Sequence, residues 1–213
     1  MDDNGKIRLF LDADDTIMES SKTIIKMLNN KYNITPPKTI NDIRDWGYRS
    51  IYKNLSNGDV DKLFESDDFF NGVNMNPIFM NFYNNHHNQF EFTVITKGTQ
   101  LNIEKKKKYL DSVFGNNYKY YGMVLVKDEF DNAVRNYDKT SVDMSGGIQI
   151  DDRADCLRDT NASVKILIQN GDRYWNNPTL CANAPNNLYI VHNWNEVVEI
   201  LLFIYNNKYL LDT

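Results

Sequence analysis

The sequence predicts an α/β fold in which a parallel sheet is covered by helices on both faces. Two observations lead to this prediction. Short apolar runs alternate along most of the chain with stretches of helical periodicity, which is typical of repeated strand–helix units. The first apolar run, Ile7–Leu11, is followed at once by Asp12 and Asp14, and open parallel sheets place their ligand chemistry just beyond the carboxyl ends of their strands.

Six apolar runs are the predicted strands. They are Ile7–Leu11, Phe92–Thr96, Met123–Val126, Ile148–Ile150, Val164–Ile168 and Leu188–Val191. The helices predicted between and after them include Pro77–Gln89, Thr99–Phe114 and Asn195–Tyr205. The last of these has the clearest pattern, because its apolar residues recur at the i, i+3, i+4, i+7 spacing of one helix face.

The stretch between the first two strands differs from the rest of the chain. It contains helix-like pieces at Ser21–Tyr32, Tyr48–Leu55 and Asp59–Glu65, separated by turn-forming residues, and no convincing strand. We therefore predict a small helical cap of residues 19–75, inserted after the first strand. The core then consists of residues 1–18 and 76–213.

Composition narrows the class of protein. Of the 213 residues, 41% are hydrophobic, which is enough for a substantial core. The net charge of −5 argues against a nucleic-acid polymer as partner but is compatible with a small phosphorylated ligand. No apolar run approaches the roughly 20 residues that span a bilayer, and the acidic N-terminus is unlike a secretory signal. With Cys156 and Cys181 as reduced thiols, we expect a cytoplasmic protein without a membrane partner, and a homodimer is left open.

The pair Asp12 and Asp14 fits phosphoryl chemistry. Asp12 can attack phosphorus and form an aspartyl-phosphate, which splits one difficult displacement into two easier ones. Asp14 can give a proton to the leaving alkoxide and later take one from water. An acidic turn that caps the next helix explains the same residues about as well, so other parts of the chain must decide.

Two further elements can bind an anionic phosphoryl group. The run Phe92–Thr96 continues into Lys97 and Gly98, where the Thr96 hydroxyl, backbone N–H groups and the Lys97 charge can hold phosphoryl oxygens. Lys139, within Asp138-Lys139-Thr140, can offset repulsion between a carboxylate nucleophile and its substrate. The plain alternatives are a helix cap at the threonine and a surface lysine.

A second acidic pair, Asp151 and Asp152, follows the predicted strand Ile148–Ile150. Adjacent acids after a buried strand repel each other unless a cation compensates, and Mg²⁺ prefers carboxylate, carbonyl and phosphate oxygens. One of these acids, together with Asp12 and a carbonyl near Asp14, would complete such a site. An acidic turn neutralised by Arg153 is the alternative, but the order of the four elements around strand ends favours one catalytic site.

The lysine run Lys105–Lys108 lies within the predicted helix Thr99–Phe114. A run of like charges in a helix is usually a solvated face, and we predict that here. A phosphate-binding patch is the alternative.

Taken together, these motifs resemble those of haloacid dehalogenase (HAD) superfamily phosphatases. The sequence DADDT at residues 12–16 is similar to the first motif of that superfamily, followed by Thr96, Lys139 and the pair Asp151-Asp152. A closer resemblance is to the 5′(3′)-deoxyribonucleotidase family. It is carried by Asp138-Lys139-Thr140, by residues 150–155, by residues 64–70 and by Trp194. The chain departs from that family at Asp15, where Gly is usual, and at Lys97-Gly98, where Ser-Pro is usual.

The resemblance implies a Rossmann-like HAD core with a small helical cap, and a Mg²⁺-dependent phosphomonoesterase that acts on (deoxy)ribonucleoside monophosphates. It implies catalytic roles for Asp12, Asp14, Thr96 and Lys139. The implied Mg²⁺ ligands are Asp12, Asp14, Asp151 and Asp152. The expected substrate contacts are Lys97, Gly98, Trp46, Tyr48, Phe69 and Phe70.

Several alternatives remain at this point. Phe69 and Phe70 could simply form the core of the cap instead of contacting a nucleobase. The substrate could be another small phosphomonoester, such as a sugar phosphate. The chain could also be a binding or regulatory protein that kept the site and lost turnover.

Overall fold

The computed structural model describes residues 5–127, 133–135, 139–171, 173–181 and 187–211. Their strands, in chain order, are β1 (Ile7–Leu11), β2 (Phe90–Gly98), β3 (Lys119–Val124), β4 (Val126–Lys127), β5 (Ala133–Arg135), β6 (Ile148–Asp151), β7 (Val164–Ile168) and β8 (Leu188–Val191). Six of them form one parallel sheet in the order β3-β2-β1-β6-β7-β8. Strands β4 and β5 form a separate antiparallel pair.

The centre of the sheet is buried. Every residue of β6 and of β7 is buried, as expected for parallel strands that are covered on both faces. The strand order reverses beside β1, since β2 and β3 lie on one side of it and β6 to β8 on the other. In open α/β sheets this reversal opens a crevice beyond the carboxyl ends of the strands.

The helices of the described residues are α1 (Ser20–Tyr32), α2 (Asn57–Glu65), α3 (Asp67–Gly72), α4 (Pro77–His86), α5 (Gln100–Phe114), α6 (Ala154–Arg158) and α7 (Trp194–Asn206). Five of them, α2, α3, α4, α5 and α7, begin at a side-chain cap. Asn76, Thr99 and Asn193 each accept a hydrogen bond from a backbone N–H in the first turn of α4, α5 and α7. Helix α5 packs on β2 and β3, while α6 packs on β6 and β7. None of these helices is long and apolar enough to cross a membrane.

The predicted fold class is confirmed: the chain is an α/β protein with a parallel, Rossmann-like sheet flanked by helices. The helix predicted over Tyr48–Leu55 is wrong, because that stretch is a series of turns. Tyr48 has a φ of 53°, and the Asp45 carboxylate accepts hydrogen bonds from the backbone N–H groups of Arg49 and Ser50. Such local bonds compete with helix formation.

The third predicted strand, Met123–Val126, is displaced. The strand in the structure is Lys119–Val124, at the edge of the sheet, where most of its residues stay exposed or half-buried. An edge strand contains polar residues, which weaken the apolar pattern that indicates a buried strand. The predicted strand is therefore shifted toward the apolar end of the segment, at Met123 and Val124.

The insertion between β1 and α4 leaves the core and returns to it at neighbouring points. The backbone N–H of Glu19 donates to the carbonyl of Asn74, and that of Asn76 donates to the carbonyl of Ile17. Buried side chains of the insertion, including those of α1 and α3, belong to the same apolar cluster as β1 and β2. The division into a core and a cap of residues 19–75 stays a prediction.

Candidate active site

A buried lysine joins two carboxylates beyond the carboxyl ends of β1 and β6. Asp12 follows β1, and Asp151 is the last residue of β6. Lys139 Nζ donates to Asp12 Oδ1 and to Asp151 Oδ2, at 2.6 Å in each case. All three side chains are buried, so the ammonium group compensates charges that would otherwise be costly inside the protein. Asp138, which precedes Lys139 in the motif, lies outside the described residues.

Asp12, Asp151 and Asp152 could hold a cation together. Each offers a carboxylate oxygen, and these oxygens all lie within 4.8 Å of one another. The two oxygens of Asp151 already accept hydrogen bonds, from Lys139 and from the backbone N–H of Arg153. Asp152 accepts one at Oδ2 from Trp175 Nε1, and Asp12 accepts one at Oδ1 from Lys139. Among the described residues, Asp12 Oδ2 and Asp152 Oδ1 therefore have no hydrogen-bond donor and are the oxygens best suited to a metal ion.

The electrostatics of the cluster favour an additional cation. Burial raises the pKa of Asp12 to about 6, with Lys139 opposing the rise and Asp151 and Asp14 adding to it. Burial, with the nearby carboxylates of Asp15 and Asp12, also holds the pKa of Asp152 well above its ordinary value. Buried carboxylates that resist ionisation in this way become stable anions when a divalent ion binds.

Asp14 lies beside a lysine that the sequence prediction missed. Lys106 Nζ lies 2.5 Å from Asp14 Oδ2 and donates to Thr96 Oγ1 at 2.9 Å. The prediction of a solvated face is wrong for this lysine, because its side chain is completely buried. A signal was available, since Lys106 stands three residues after Ile103 and four before Leu110 on the buried face of α5.

Another buried ion pair explains the unusual residue at position 15. Asp15 has a φ of 56°, a left-handed conformation that glycine adopts most easily. Its carboxylate accepts hydrogen bonds from the backbone N–H of Ser21 at 2.7 Å and from Arg173 Nη1 at 2.5 Å. Arg173 is buried and also lies 4.0 Å from Asp152 Oδ2. Arg173 and Trp175 lie in a segment without regular periodicity, so no sequence pattern marks them as site residues.

The side chains of Asp12, Asp14 and Lys139 face a cavity of about 290 Å³ between the sheet edge and the insertion. Its walls include eight of the predicted site residues, Asp12, Asp14, Trp46, Thr96, Lys97, Gly98, Lys139 and Asp152. Asp151 does not line the cavity and is buried under Lys139. The insertion also contributes Val60, Asp61 and Phe64 to the wall.

Three of the predicted substrate contacts are not brought to the cavity. Tyr48 is buried, with its hydroxyl 2.8 Å from Ser21 Oγ. Phe69 is also buried and packs against Phe64 and Phe70, with ring centres 5.2 and 5.0 Å away. None of the three lines the cavity, so the structure does not bring Tyr48, Phe69 and Phe70 together with the other predicted site residues. The placement of Phe69 and Phe70 agrees with the alternative that they form the core of the insertion.

Trp46 is the predicted aromatic residue that does reach the cavity. It is 40% exposed, and the Arg153 guanidinium lies 5.3 Å from the centre of its ring. Phe64 stacks near it, with ring centres 6.5 Å apart. Phe64 belongs to residues 64–70, which carry part of the family resemblance, but it was not predicted to contact the substrate. The structure places it in the wall of the cavity.

Comparison with known proteins identifies the fold. No protein-family model matches the chain, and no curated protein sequence matches it either. A predicted phosphatase from Clostridium acetobutylicum has a similar structure, with a TM-score of 0.57, 15% identity, and coverage of 92% of this chain and 98% of the other. A haloacid dehalogenase-like hydrolase from Streptococcus pneumoniae is similar as well. Its TM-score is 0.56 at 14% identity, with coverage of 92% of this chain and 99% of the other.

A HAD-hydrolase from Bacillus subtilis, described as bound to magnesium, is also similar. Its TM-score is 0.53 at 17% identity, with coverage of 92% of this chain and 98% of the other. At such identities the likeness establishes the fold, which is that of HAD-type hydrolases.

Proposed function

We propose that this protein is a phosphomonoesterase that works through an aspartyl-phosphate on Asp12. The observation that carries the proposal is the meeting of Asp12, Asp14, Thr96 and Lys139 on the wall of one cavity. They come from separate stretches of the chain and meet beside the reversal of strand order. The HAD-type fold of the chain supports the same reaction class.

In the first half-reaction a carboxylate oxygen of Asp12 attacks phosphorus. A bond from Asp12 to phosphorus forms while the bond from phosphorus to the ester oxygen breaks, and Asp14 gives its proton to the departing alkoxide. Lys139 holds the Asp12 carboxylate through its 2.6 Å hydrogen bond and offsets the charge that nucleophile and substrate share. Thr96 donates its hydroxyl hydrogen to a phosphoryl oxygen.

In the second half-reaction water attacks the phosphorus of the aspartyl-phosphate. Asp14, now a carboxylate, accepts a proton from that water, and the bond between phosphorus and Asp12 breaks. Inorganic phosphate leaves, and both aspartates return to their initial protonation states. The same residue thus serves as acid and then as base.

The cation that fits the site best is Mg²⁺. Asp12 Oδ2, Asp152 Oδ1 and the backbone carbonyl of Asp14 would hold it, while Asp151 supports the site through Lys139. This assigns direct ligation to Asp152 rather than Asp151, because both oxygens of Asp151 are already engaged. When bound, Mg²⁺ supplies neutralisation of the phosphoryl charge.

Nucleoside monophosphates are the substrate class that we favour. Trp46 and Phe64 present aromatic surface to the cavity, with Arg153 beside Trp46, and stacking of a base on such a ring is worth about 1–3 kcal/mol. Sugar phosphates are a second candidate. The same wall carries Asp61, Asn102 and Asp155, whose polar side chains suit hydroxyl groups.

The test is phosphate release by the purified protein with Mg²⁺, across nucleoside monophosphates, sugar phosphates and p-nitrophenyl phosphate. We expect Mg²⁺-dependent turnover that is fastest for nucleoside monophosphates and lost in Asp12→Asn, with unchanged circular dichroism. Faster turnover of sugar phosphates would favour the second candidate. Absence of turnover for every ester would contradict the proposed function and favour a binding protein.

A further inference from the structure

Lys106 is fully buried, although it belongs to a run of four consecutive lysines on α5. Its neighbours have other environments. Lys105 pairs with Asp67 at 2.6 Å, and Lys107 pairs with Asp111 at 2.7 Å in a largely exposed pair. Position 106 faces the sheet between Ile103 and Leu110, where an apolar side chain would pack without the cost of burying an ammonium group. A lysine there calls for a role beyond packing.

The two partners of Lys106 are residues of the proposed reaction. Its Nζ contacts Asp14 Oδ2 at 2.5 Å and Thr96 Oγ1 at 2.9 Å. The other oxygen of Asp14 accepts a hydrogen bond from Ser20 Oγ at 2.6 Å. The Asp14 carboxylate is therefore held at both oxygens, and rotation about its last bond would break both contacts.

The hydrogen bond from Lys106 to Thr96 determines where the hydroxyl hydrogen of Thr96 can point. A lysine ammonium has only donors, so Thr96 Oγ1 must accept from it. The hydroxyl hydrogen of Thr96 is then directed elsewhere, and Thr96 lines the cavity. Lys106 thereby prepares the hydroxyl to donate to a phosphoryl oxygen.

Hydrogen bonds hold helix α5 in place close to Lys106. Asn102 Nδ2 donates to the carbonyl of Phe64 at 2.8 Å, and Lys105 Nζ donates to the carbonyl of Glu65 at 2.7 Å. These bonds tie the first half of α5 to the end of α2. A side chain based on a packed and anchored element holds its partners more precisely than one on a loop.

We propose that Lys106 is a positioning residue. It orients the Asp14 carboxylate for proton transfer and the Thr96 hydroxyl for phosphate binding, and this role rests on the proposed function. It does not line the cavity, so it acts through these two residues and not by contact with the substrate. Its loss should affect kcat more than KM. The loss should be largest where the leaving group depends most on the proton from Asp14.

The test compares Lys106→Met with Lys107→Met, a control on the same helix whose side chain is exposed. Two esters are used, p-nitrophenyl phosphate with a good leaving group and phenyl phosphate with a poorer one. For Lys106→Met we expect kcat to fall for both esters, with a loss on the order of tenfold larger for phenyl phosphate, since general acid help is typically worth about 10²–10⁴-fold. Lys107→Met should keep the wild-type kcat for both.

A second comparison starts from the Asp14→Asn variant, so that the test does not depend on the folding of Lys106→Met alone. In Asp14→Asn the buried ammonium has already lost its charged partner, so Asp14→Asn/Lys106→Met removes both charges and should fold. Relative to Asp14→Asn, the added substitution should reduce the single-turnover rate of phenol or nitrophenol release by the same factor for the two esters, because the acid on which Lys106 acts is gone.

Four outcomes would count against the proposal, and those that concern Lys106 alone are distinguishable from the one that concerns the proposed function. Wild-type kcat in Lys106→Met, or an equal loss for the two esters in that single variant, would overturn the role of Lys106 alone. A leaving-group-dependent loss that persists in the Asp14→Asn background would do the same. An inactive wild-type protein would overturn the proposed function and this inference with it.

Discussion

Lys139 Nζ lies 2.6 Å from Asp12 Oδ1, although the two residues are 127 positions apart in the sequence. The same ammonium group reaches Asp151 at 2.6 Å. The nucleophile that we propose is therefore held by a residue from another part of the fold. This arrangement makes the stability of the site and its chemistry depend on the same contacts.

Removal of the Lys139 ammonium group should reduce both the stability of the fold and the phosphatase activity. Lys139→Met leaves two buried carboxylates without their cation, and breaking a buried pair in this way costs about 3–5 kcal/mol. We expect a loss of that size in the free energy of unfolding by urea, measured without metal, and loss of turnover. The matched variant Lys139→Met/Asp151→Asn should regain part of the stability and none of the activity. Strictly additive effects on stability would contradict the pairing.

The effect of Mg²⁺ on stability should depend on pH. The pKa of Asp12 in the folded chain, about 6, lies above its ordinary value of 3.8. A carboxyl group with a raised pKa stabilises the folded state most at low pH, and this contribution is lost as the pH rises through about 6. The raised pKa of Asp152 acts in the same direction.

The metal-free protein should therefore lose stability through this cluster as the pH rises from about 4 to 6. Mg²⁺, which binds the ionised carboxylates, should raise Tm more at pH 7 than at pH 5. Melting curves with EDTA and with Mg²⁺ measure this difference, and Asp12→Asn is the control in which it should shrink. A Mg²⁺ increment that is the same at both pH values would contradict the assignment.

Asp15 should be needed for stability although its backbone conformation suits glycine. Asp15→Gly relieves the left-handed backbone, a gain of about 1–2 kcal/mol, but leaves buried Arg173 without its 2.5 Å partner. Since breaking a buried pair costs about 3–5 kcal/mol, we expect a net loss that can be measured by urea unfolding. Adding Arg173→Leu should recover part of that loss. A single variant as stable as the wild type would show that the pair contributes little.

Trp46 should distinguish the two substrate classes. If its ring stacks on a nucleobase, Trp46→Ala should raise KM for nucleoside monophosphates by roughly 5- to 150-fold, the equivalent of about 1–3 kcal/mol. KM for sugar phosphates should change little. Phe70→Leu, which alters an aromatic residue away from the cavity, is the control. An equal rise in KM for both classes would indicate that Trp46 only shapes the cavity wall.

The sequence was sufficient for the residues that follow strands. Asp12, Thr96 and Asp151 each end or follow an apolar run, and parallel strands bring their carboxyl ends to one edge. Local sequence therefore predicted a spatial cluster, and the structure places these residues at that edge. Lys139 was predicted from the charge that phosphoryl transfer needs, with a surface lysine as the alternative, because a lysine within a short polar segment has no local signal of burial.

The remaining parts of the site depend on tertiary packing. Lys106 is placed by the way in which α5 packs on the sheet, and a run of lysines concealed its position on the buried face. Arg173 and Trp175 come from a segment without regular periodicity and reach Asp15 and Asp152 only in the folded chain. For Phe69 and Tyr48, composition alone could not separate an aromatic core from an aromatic binding wall.

The most direct test of the central claim is to locate the phosphoryl group during turnover. Protein mixed with p-nitrophenyl phosphate and Mg²⁺ is quenched in acid within one turnover, digested and analysed by mass spectrometry. We expect phosphate on Asp12, more of it in Asp14→Asn, because hydrolysis of the intermediate needs that base, and none in Asp12→Asn. Turnover with no phosphorylated residue, or with phosphate on a residue other than Asp12, would contradict the account.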